Sequence, residues 1–524
     1  MITLWALALG CSTPQEPEGE LVFVRDGIIA STEIDAGRAI GGGRTLVTRP
    51  WTAGETVSVG GIKASAPIRP ECVPLFHVPL SDVSQLTVTG GVAPNSSVAF
   101  SPDGSRLAIG SHQGDLVVVD GWTGAEIART TLPESLTKRV AWSLDGQTLY
   151  AGEQSPDANV HAFDPATLNA RWSFRTADHV ESSPLPEGED RYAIYNLPGI
   201  YTLKVLDDGD IVIMAVHGWN DADGTRKNLS QVFRLSPSGA VVNRWPKKAS
   251  SILLLHSVFQ TRPDGTNLVI MNLGRSADGP PPDGLPTGGI GVLNLDTMTL
   301  ESTVSIDPLA PWFKRTSFWH AIDWDAAHGM MLGLGDGRLI RTSSEPPHAD
   351  EAEVPAGTPI MAGEVPIAAS VGFGQFAQAS MMYTTSDTNI PWGAAVAELR
   401  PPSVHPGANG LWVTDLSGEP LWNWQGDLRI QGLSTSPNER IGIIGAGHRA
   451  NAASPTTYGA VVFDLTSPND GRTGAERRLA TCATASPVYF DHQVRDDGRI
   501  AVVEFPVPDG QGGVRGSYRA TVLR

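Results

Sequence analysis

Two histidines are the residues of this sequence best suited to chemistry. His256 lies in the run LLHSV and His320 in the run FWHAID, and each opens an apolar stretch that is typical of a strand. Imidazole titrates near neutrality, so a histidine that lines a channel can act as a nucleophile or as a general acid and base. The alternative is a histidine held by hydrogen bonds without a catalytic role. The sequence favours that alternative, because no partner residues are recognisable.

Metal and cofactor sites are not indicated by the remaining motifs. Residues 217–224 concentrate oxygen ligands before a glycine, as calcium loops do, but Trp219 stands where the first carboxylate belongs. An ordinary Asp-Gly loop is favoured there. The 3 cysteines are too far apart for a zinc knuckle, and neither a Gly-x-Ser-x-Gly elbow nor a phosphate-binding loop with lysine occurs. We expect no metal and no cofactor.

The tryptophans indicate packing rather than a quinone site. Four of the 14 fall at the ends of expected outer strands: Trp172, Trp245, Trp422 and Trp424. Such positions suit aromatic contacts between neighbouring sheets. The vicinal disulfide and paired calcium ligands of quinoprotein dehydrogenases are also missing from the sequence.

Long stretches rich in Gly, Pro, Ser and Ala interrupt the strand pattern at residues 275–289, 343–359, 369–405 and 445–457. Rigid folds often place recognition on such loops. The third stretch is unusually apolar, and we predict that its large side chains form a partner-binding or channel-capping surface: Phe373, Phe376, Met381, Met382, Tyr383 and Trp392. The alternative is that they form the core of a strand unit that resembles the others poorly.

The element that must position these residues is a repeated group of short strands, clearest at residues 98–129. Its apolar runs are separated by turns such as Ser101-Pro102-Asp103-Gly104, where proline presets φ, aspartate bonds its own backbone and glycine accepts positive φ. Residues 140–152 and 160–172 repeat the pattern, and weaker copies continue to residue 523. A sheet this small needs neighbours of the same kind. The sequence predicts an all-β propeller over residues 86–524, with seven or eight four-stranded antiparallel blades, eight being favoured.

These repeats resemble the WD40-like and quinoprotein-like repeats of bacterial periplasmic propellers over about residues 86–480. The resemblance rests on the Ser101–Gly104 motif and on turns ending in Thr-Gly or Ser-Gly, at residues 120–124, 236–239 and 415–418. It implies an architecture and hardly any chemistry.

A second resemblance is to the periplasmic aryl sulfotransferases, and it rests on residues 203–214, 233–239, Trp245, His256, His320 and 411–422. Those enzymes are propellers with a channel histidine that carries the sulfuryl group. The resemblance implies that role for His256 or His320.

The beginning of the chain carries a short apolar run, residues 2–9, followed by Gly10 and Cys11. The run is too short to span a bilayer, and a small residue before a cysteine suits signal processing. It resembles the lipobox of bacterial lipoproteins, which implies a signal peptide over residues 1–10 and lipidation of Cys11. Serine after the cysteine implies the outer membrane, on its periplasmic or surface-exposed face. The alternative is a buried strand with an incidental cysteine.

Residues 11–20 are polar and contain proline, which indicates a flexible tether after the lipidated cysteine. Residues 21–85 contain strand-like runs at 21–24, 45–48 and 56–59. We expect a small β segment there, or strands that complete the last blade, and the sequence leaves both open.

The other cysteines are Cys72, just before the first clear repeat, and Cys482, at the start of the last. In an oxidising compartment they could pair and staple the ring closed. A bond across so long a loop could add about 4 kcal/mol to the free energy of unfolding. Two unpaired buried thiols are the alternative.

The composition limits the classes of function that the protein can have. The formal net charge is −18 without a block of Lys and Arg, which argues against nucleic-acid binding. Glycine (57) and proline (40) suit many strands and turns. We therefore expect a monomeric, extracytoplasmic propeller, attached to the membrane by its lipid only, that acts as a non-catalytic platform for an envelope or cell-surface protein or glycan. The alternative function is an aryl sulfotransferase-like enzyme.

Overall fold

The structure is a computed structural model, and it describes these parts of the chain: residues 38–40, 44–46, 57–59, 62–64, 70–81, 97–185, 197–252, 254–261, 265–273, 289–305, 322–325, 329–333, 339–342, 352–353, 365–373, 379–386, 410–415, 420–426, 429–437, 440–447, 458–465, 471–508 and 514–524. Strands dominate. Helices in these segments are α1 (Ala177–Val180) and α2 (Gly474–Arg477). Neither these nor any other described helix has the length and apolar character needed to cross a membrane.

Two short hairpins come first in the described chain: β1 (Arg38–Ile40) with β2 (Arg44–Leu46), and β3 (Val57–Val59) with β4 (Ile62–Ala64). They are followed by β5 (Pro74–Pro79), which belongs to the last of the larger sheets.

The larger sheets are antiparallel and four strands wide, and one pair of them is joined through Gln154 and Gly199. We number them in chain order. Sheet 1 is β6 (Ser97–Phe100), β7 (Arg106–Gly110), β8 (Asp115–Asp120) and β9 (Glu126–Thr131); sheet 2 is β10 (Leu136–Trp142), β11 (Leu149–Gln154), β12 (Asn159–Phe163) and β13 (Ala170–Arg175); sheet 3 is β14 (Gly199–Val205), β15 (Ile211–Asn220), β16 (Arg226–Leu235) and β17 (Val241–Ser250).

The middle sheets follow the same order. Sheet 4 is β18 (Leu254–Thr261), β19 (Asn267–Leu273), β20 (Gly289–Asn294) and β21 (Thr299–Ser305); sheet 5 is β22 (Ile322–Asp325), β23 (Gly329–Gly333), β24 (Leu339–Thr342) and β25 (Ala352–Glu353); sheet 6 is β26 (Val365–Phe373), β27 (Ala379–Ser386), β28 (Gly410–Asp415) and β29 (Pro420–Gln425).

The last sheets bring the chain back to its early part. Sheet 7 is β30 (Arg429–Thr435), β31 (Ile441–Gly447), β32 (Tyr458–Asp464) and β33 (Arg478–Thr484); sheet 8 is β34 (Val488–Val494), β35 (Ile500–Glu504), β38 (Arg519–Leu523) and β5, with the short hairpin β36 (Val507–Pro508) and β37 (Val514–Arg515) between β35 and β38.

The sheets form a ring. The first strand of each sheet contacts the first strand of the next, and β34 of sheet 8 contacts β6 of sheet 1. The protein is therefore an all-β propeller, as the sequence predicts. Its buried apolar side chains lie between neighbouring sheets, where each sheet covers a face of the next. The favoured count of eight blades stays a prediction for the protein as a whole.

The turns explain why the chain reverses where it does. Gly104 has φ of +72°, and its N–H donates to the Ser101 carbonyl at 2.8 Å. The Asp103 carboxylate accepts from the Ser101 hydroxyl and the Ser105 N–H. These bonds, the Ser101 hydroxyl first, lower the pKa of Asp103 to about 2. Sheet 2 repeats the arrangement with Asp145, as its sequence copy predicts.

Aromatic side chains on outer strands pack on the next sheet. Two of them meet a glycine in the connection between the third and fourth strands of that sheet: Phe76 on Gly124 and Trp172 on Gly239. Trp424 of sheet 6 is buried in an apolar cluster that it shares with sheet 7. A Cβ at Gly124 would lie 2.4 Å from the Phe76 ring, so only glycine fits there. Trp245 and Trp422 are also buried against their neighbouring sheets. The predicted packing role of the tryptophans is confirmed.

Sheet 8 closes the ring through residues that are far apart in the chain. β5 pairs with β38 in antiparallel register, with His77 opposite Thr521. The predicted disulfide is present: Cys72 joins Cys482 of sheet 7, with the two Cα atoms 4.6 Å apart. The bond therefore ties the strand that completes sheet 8 to the sheet before it.

Candidate functional site

The structure places one of the two candidate catalytic histidines. His256 lies on β18, the first strand of sheet 4, where a register shift between Leu255 and Ser257 makes it the extra residue of a β-bulge. The structure describes only its backbone. His320 lies outside the described residues. The catalytic role of either histidine stays a prediction.

The same bulge occurs on the first strands of the two preceding sheets. A register shift on β10 leaves Lys138 as the extra residue, and a shift on β14 leaves Tyr201. Lys138 is fully buried, with Nζ 3.4 Å from the centre of the Tyr201 ring and 2.9 Å from Oε1 of Gln154. Bulge residues of sheets 2 and 3 therefore lie side by side, and His256 has the equivalent backbone position in sheet 4.

A third histidine, His112, lies near Lys138 in the turn between the second and third strands of sheet 1. It is buried, and its backbone N–H donates to Oη of Tyr518 at 2.8 Å. Burial, and secondarily the charge of Lys138, lowers the pKa of His112 to about 3. The imidazole is therefore neutral at physiological pH, and it does not exchange a proton near neutrality.

The apolar stretch predicted as a binding loop is largely strand. Phe373 ends β26, and Met381, Met382 and Tyr383 lie within β27, in the middle of sheet 6. The loop interpretation was wrong for these residues because their apolar runs are continuous and lack the alternation by which the other strands are recognised. Phe376 and Trp392 lie outside the described residues. The binding role of the set stays a prediction.

The predicted Asp-Gly loop is a hairpin turn between β15 and β16. Its backbone is held by Asp221, whose Oδ1 accepts the N–H of Thr225 at 3.0 Å. Gly224 has φ of +84°. Over the described segments, no group of three or more His, Cys, Asp or Glu side chains could hold a metal ion. Cys11, the predicted lipidation site, lies outside the described residues.

The two ends of the ring differ in their exposed side chains. We call the end that carries the connections between first and second and between third and fourth strands the turn end, and the opposite end the loop end. Large hydrophobic side chains that are exposed in the described residues all lie in turn-end connections or at the starts of fourth strands: Val73, Leu75, Trp122, Ile127, Leu144, Val241 and Val242. The turn end is therefore the apolar face of the described ring.

Trp122 is the largest of these side chains and is 44% exposed. Its ring lies on the guanidinium of Arg499, whose Cζ is 3.6 Å from the ring centre. Arg499 is 1% exposed, and its Nη1 donates to the carbonyls of Gly104 and Gly121 at 2.9 and 2.7 Å. The carboxylate of Asp497 accepts from its Nε and Nη2. Trp122 thus stands on a buried cation that fixes its position.

Backbone hydrogen bonds hold the carboxylate of Asp120, which lies in the same turn as Trp122. Asp120 accepts the N–H groups of Thr123 and Trp122, and these bonds, Thr123 first, lower the pKa of its carboxyl. The turn therefore keeps its geometry with Asp120 ionised. The guanidinium of Arg524 lies 5.6 Å from the Trp122 ring.

A surface at the junction of sheets 8 and 1 follows from these contacts. Val73 and Arg524 exchange two backbone hydrogen bonds of 3.0 Å, so the exposed Val73 lies beside Arg524, whose guanidinium is 5.6 Å from the Trp122 ring. We call Val73, Trp122 and Arg524 the closure surface. It combines an aromatic anchor, an aliphatic side chain and a cation where the ring closes.

Sequence reasoning missed the closure surface because it depends on contacts between the two ends of the described chain. One signal was present. Arg106, Arg440 and Arg499 each follow a repeat of the same turn. Arg106 donates to the Gly146 carbonyl of sheet 2 much as Arg499 donates to Gly104 of sheet 1. In these two turns the arginine that follows the turn therefore links its sheet to the next one.

No family model and no curated protein matches this chain. Solved propellers resemble it in shape. The C-terminal WD40 domain of Sif2 is 12% identical with a TM-score of 0.49, and the likeness covers 86% of this chain and 98% of that one. The computationally designed protein Ika8 is 13% identical with a TM-score of 0.48, covering 82% and 96%. BamB from Moraxella catarrhalis is 12% identical with a TM-score of 0.38, covering 67% and 79%. The strand order and the closed ring, rather than these distant likenesses, identify the chain as a β-propeller.

Proposed function

We propose that the protein is a lipid-anchored extracytoplasmic propeller that binds another envelope protein through the closure surface, by recognition and without chemistry there. The observation that carries the proposal is Trp122, an exposed aromatic ring stacked on a buried arginine. Tryptophan and arginine dominate the energetics of protein interfaces. A ring that is already held in place loses little conformational entropy when a partner covers it.

The surroundings of Trp122 favour a protein partner. Exposed aliphatic side chains share the turn end, including Val73 and Leu144. Apolar side chains around an aromatic anchor suit the centre of a protein interface. The nearby Arg524 guanidinium suits a carboxylate at the rim of that partner.

The disulfide supports an extracytoplasmic location. Disulfides persist in oxidising compartments and are rare in the cytosol. The Cys72–Cys482 bond therefore agrees with export, and the lipobox-like segment supplies the anchor at Cys11. We place the protein at the outer membrane by the serine that follows Cys11.

The binding proposal is tested by cross-linking in intact cells. A photoreactive residue replaces Ala125, which is exposed beside Trp122, or Ala222, which is exposed at the loop end. We expect a discrete adduct with one envelope protein from position 125 and none from position 222. Trp122→Ala should weaken binding of the purified partner by at least about tenfold. Val242→Ala, another exposed apolar side chain of the turn end, is the matched control and should leave binding unchanged. Adducts that persist with Trp122→Ala contradict the proposal.

The anchor is tested separately. Cells fed a radiolabelled fatty acid should label the wild-type protein and not Cys11→Ser, and the variant should leave the membrane fraction. Equal labelling of both proteins contradicts lipidation at Cys11 and leaves the binding result unaffected.

A further inference from the structure

Three polar side chains form a hydrogen-bonded row across sheet 2. Ser173 on β13 has its Oγ 2.6 Å from Nδ1 of His161 on β12, and Nε2 of His161 lies 2.8 Å from Oε1 of Glu153 on β11. The register explains the row: His161 is directly opposite Ser173 and opposite Ala151, two residues before Glu153. Alternation along strands puts the three side chains on one face.

The hydrogen bonds decide where the proton lies. An ionised carboxylate only accepts, so Nε2 of His161 carries the hydrogen that it shares with Glu153. In the neutral ring, Nδ1 then has a lone pair, and the Ser173 hydroxyl donates to it. This is the arrangement of a hydroxyl nucleophile, its base and the group that orients the base.

The carboxylate is well held. Oε2 of Glu153 accepts from the Ser155 hydroxyl at 2.8 Å and from the Asn159 N–H at 3.3 Å. The ring of His161 also packs against Phe163, with centres 5.4 Å apart. Glu153 and His161 are therefore held in position without a bound ligand.

Exposure increases along the row towards the hydroxyl. The side chain of Glu153 is 6% exposed and that of His161 is 13% exposed, while Ser173 is exposed on the outermost strand of its sheet. Arg171 and Arg175, two residues before and after Ser173, share its face of the strand by alternation and are both exposed. A reacting group can therefore reach Ser173. The guanidinium groups on either side are paired with carboxylates, Arg171 with Asp164 and Arg175 with Asp157 and Asp178, and an anionic substrate would have to replace these exposed partners.

We propose that sheet 2 carries a second site, in which Ser173 is a nucleophile, His161 its general base and Glu153 the positioning residue, for the hydrolysis of small esters that carry a negative charge. The site is independent of the closure surface. The flanking guanidinium groups of Arg171 and Arg175 attract the anionic substrate and compensate the charge on the tetrahedral oxygen.

The reaction balances with water alone. Oγ of Ser173 bonds to the ester carbonyl carbon while its proton passes to Nδ1 of His161. The C–O bond to the alcohol then breaks, and the alcohol leaves with that proton. Water adds to the acyl carbon with His161 again taking the proton, the Ser173–acyl bond breaks, and Oγ recovers the proton. The products are an alcohol and a carboxylic acid.

Covalent labelling is the first test. A fluorophosphonate probe phosphonylates an activated serine with loss of fluoride, and peptide mass analysis locates the adduct. We expect the adduct on Ser173 in the folded protein and its loss in His161→Asn. An unmodified Ser173 in the folded protein overturns the proposal.

Hydrolysis is the second test, with 4-nitrophenyl acetate and its anionic counterpart, 4-nitrophenyl hydrogen succinate. Ser173→Ala should lower kcat by at least about a hundredfold. Ser238→Ala, an exposed serine in a turn of sheet 3, is the matched control and should leave the rate unchanged. Equal rates for Ser173→Ala and wild type overturn the assignment of the nucleophile.

The positioning and substrate roles have their own readouts. Glu153→Gln should lower kcat with KM unchanged, which a merely structural change would not produce. Arg171→Gln should raise KM for the succinate ester and not for the acetate. A wild-type enzyme that hydrolyses both esters with equal kcat/KM contradicts the preference for negative charge.

Discussion

Two junctions of the ring can be compared, the one that closes it between sheets 8 and 1 and the one between sheets 2 and 3. They share one kind of aromatic contact and differ in how their strands are joined. Each packs an aromatic ring of an outer strand on a turn glycine, Phe76 on Gly124 and Trp172 on Gly239. Sheets 2 and 3 are consecutive in the chain and are also joined by backbone pairing of Gln154 with Gly199. Sheets 8 and 1 have no such pairing in the described strands.

Both junctions contain a buried cation, since Lys138 of sheet 2 lies on the Tyr201 ring of sheet 3. The closing junction differs in that its outer strand is also tied by a covalent bond. Arg499 crosses from sheet 8 to two carbonyls of sheet 1, and the disulfide holds β5 to sheet 7. A junction between consecutive sheets forms from local contacts, whereas the closing junction must bring distant segments together. The comparison teaches that cation contacts join consecutive sheets as well as the closing pair, whereas the covalent link occurs where chain connectivity gives no help. Substitutions should therefore affect the stability of the two junctions to different extents.

The disulfide should give the largest effect. Replacing both cysteines, Cys72→Ala with Cys482→Ala, is expected to lower the free energy of unfolding by about 4 kcal/mol, because the unfolded chain is no longer cross-linked. Urea unfolding followed by circular dichroism measures it. A reductant should lower the wild-type midpoint to that of the variant and leave the variant unchanged. A variant with the wild-type midpoint contradicts the role of the bond.

Replacement of Arg499 should have the second-largest effect on the free energy of unfolding. Arg499→Met removes a buried cation and leaves Asp497 and two carbonyls without their donor, for an expected loss of about 3 kcal/mol in the free energy of unfolding. Arg171→Met, which breaks an exposed ion pair with Asp164, is the control and should cost less than about 1 kcal/mol. Similar losses in the two variants would remove the distinction between the closing junction and the rest.

The shared contact predicts similar effects at both junctions. Gly124→Ala and Gly239→Ala each place a Cβ within 2.6 Å of an aromatic ring at positive φ, and each should lower the free energy of unfolding by about 2 kcal/mol. Gly224→Ala is the control, because it has positive φ with nothing within 4 Å of the added Cβ, and only backbone strain of about 1 kcal/mol remains. Differential scanning calorimetry compares the three. Equal shifts of the melting temperature in the three variants would show that the contacts with the aromatic rings add nothing to the cost of the substitution.

Acid should have the smallest effect. The pKa of Asp103 is lowered in the folded protein from 3.8 to about 2, so its hydrogen bonds stabilise the fold above pH 4, and that stability is lost as the pH falls towards 2. Since Asp103 is near the surface, the loss should not exceed about 1 kcal/mol. Asp103→Asn should reduce the difference in urea midpoint between pH 5 and pH 2.5. An unchanged difference contradicts the contribution of this turn.

The features of the fold that could be predicted from the sequence are mainly those determined by residues that are close together in the chain. The Pro-Asp-Gly turn at residues 102–104 determines its own geometry, and its repetition indicates a ring of small sheets. The assumption of a ring favours the pairing of Cys72 with Cys482, because closure brings the ends of the repeats together, but the sequence alone left two unpaired thiols as the alternative.

The parts that could not be predicted depend on register between strands. Ser173, His161 and Glu153 meet only because three strands align within one residue, and a shift by one would turn each side chain to the other face. Lys138 and Tyr201 meet because both lie at β-bulges, which the sequence does not mark. Nothing in the runs of β26 and β27 distinguishes continuous apolar strands from an apolar loop.

The position of β5 also sets the order of biogenesis. The ribosome makes β5 long before its partner β38, and His77 and Thr521 are 444 residues apart. Until β38 emerges, β5 is an open edge that other strands could join. Proline at both ends of β5, Pro74 and Pro79, withholds two N–H groups and restricts such mispairing. Sheet 8 can therefore be completed only after β38 has been made, whereas both cysteines of the Cys72–Cys482 bond precede β38 in the chain.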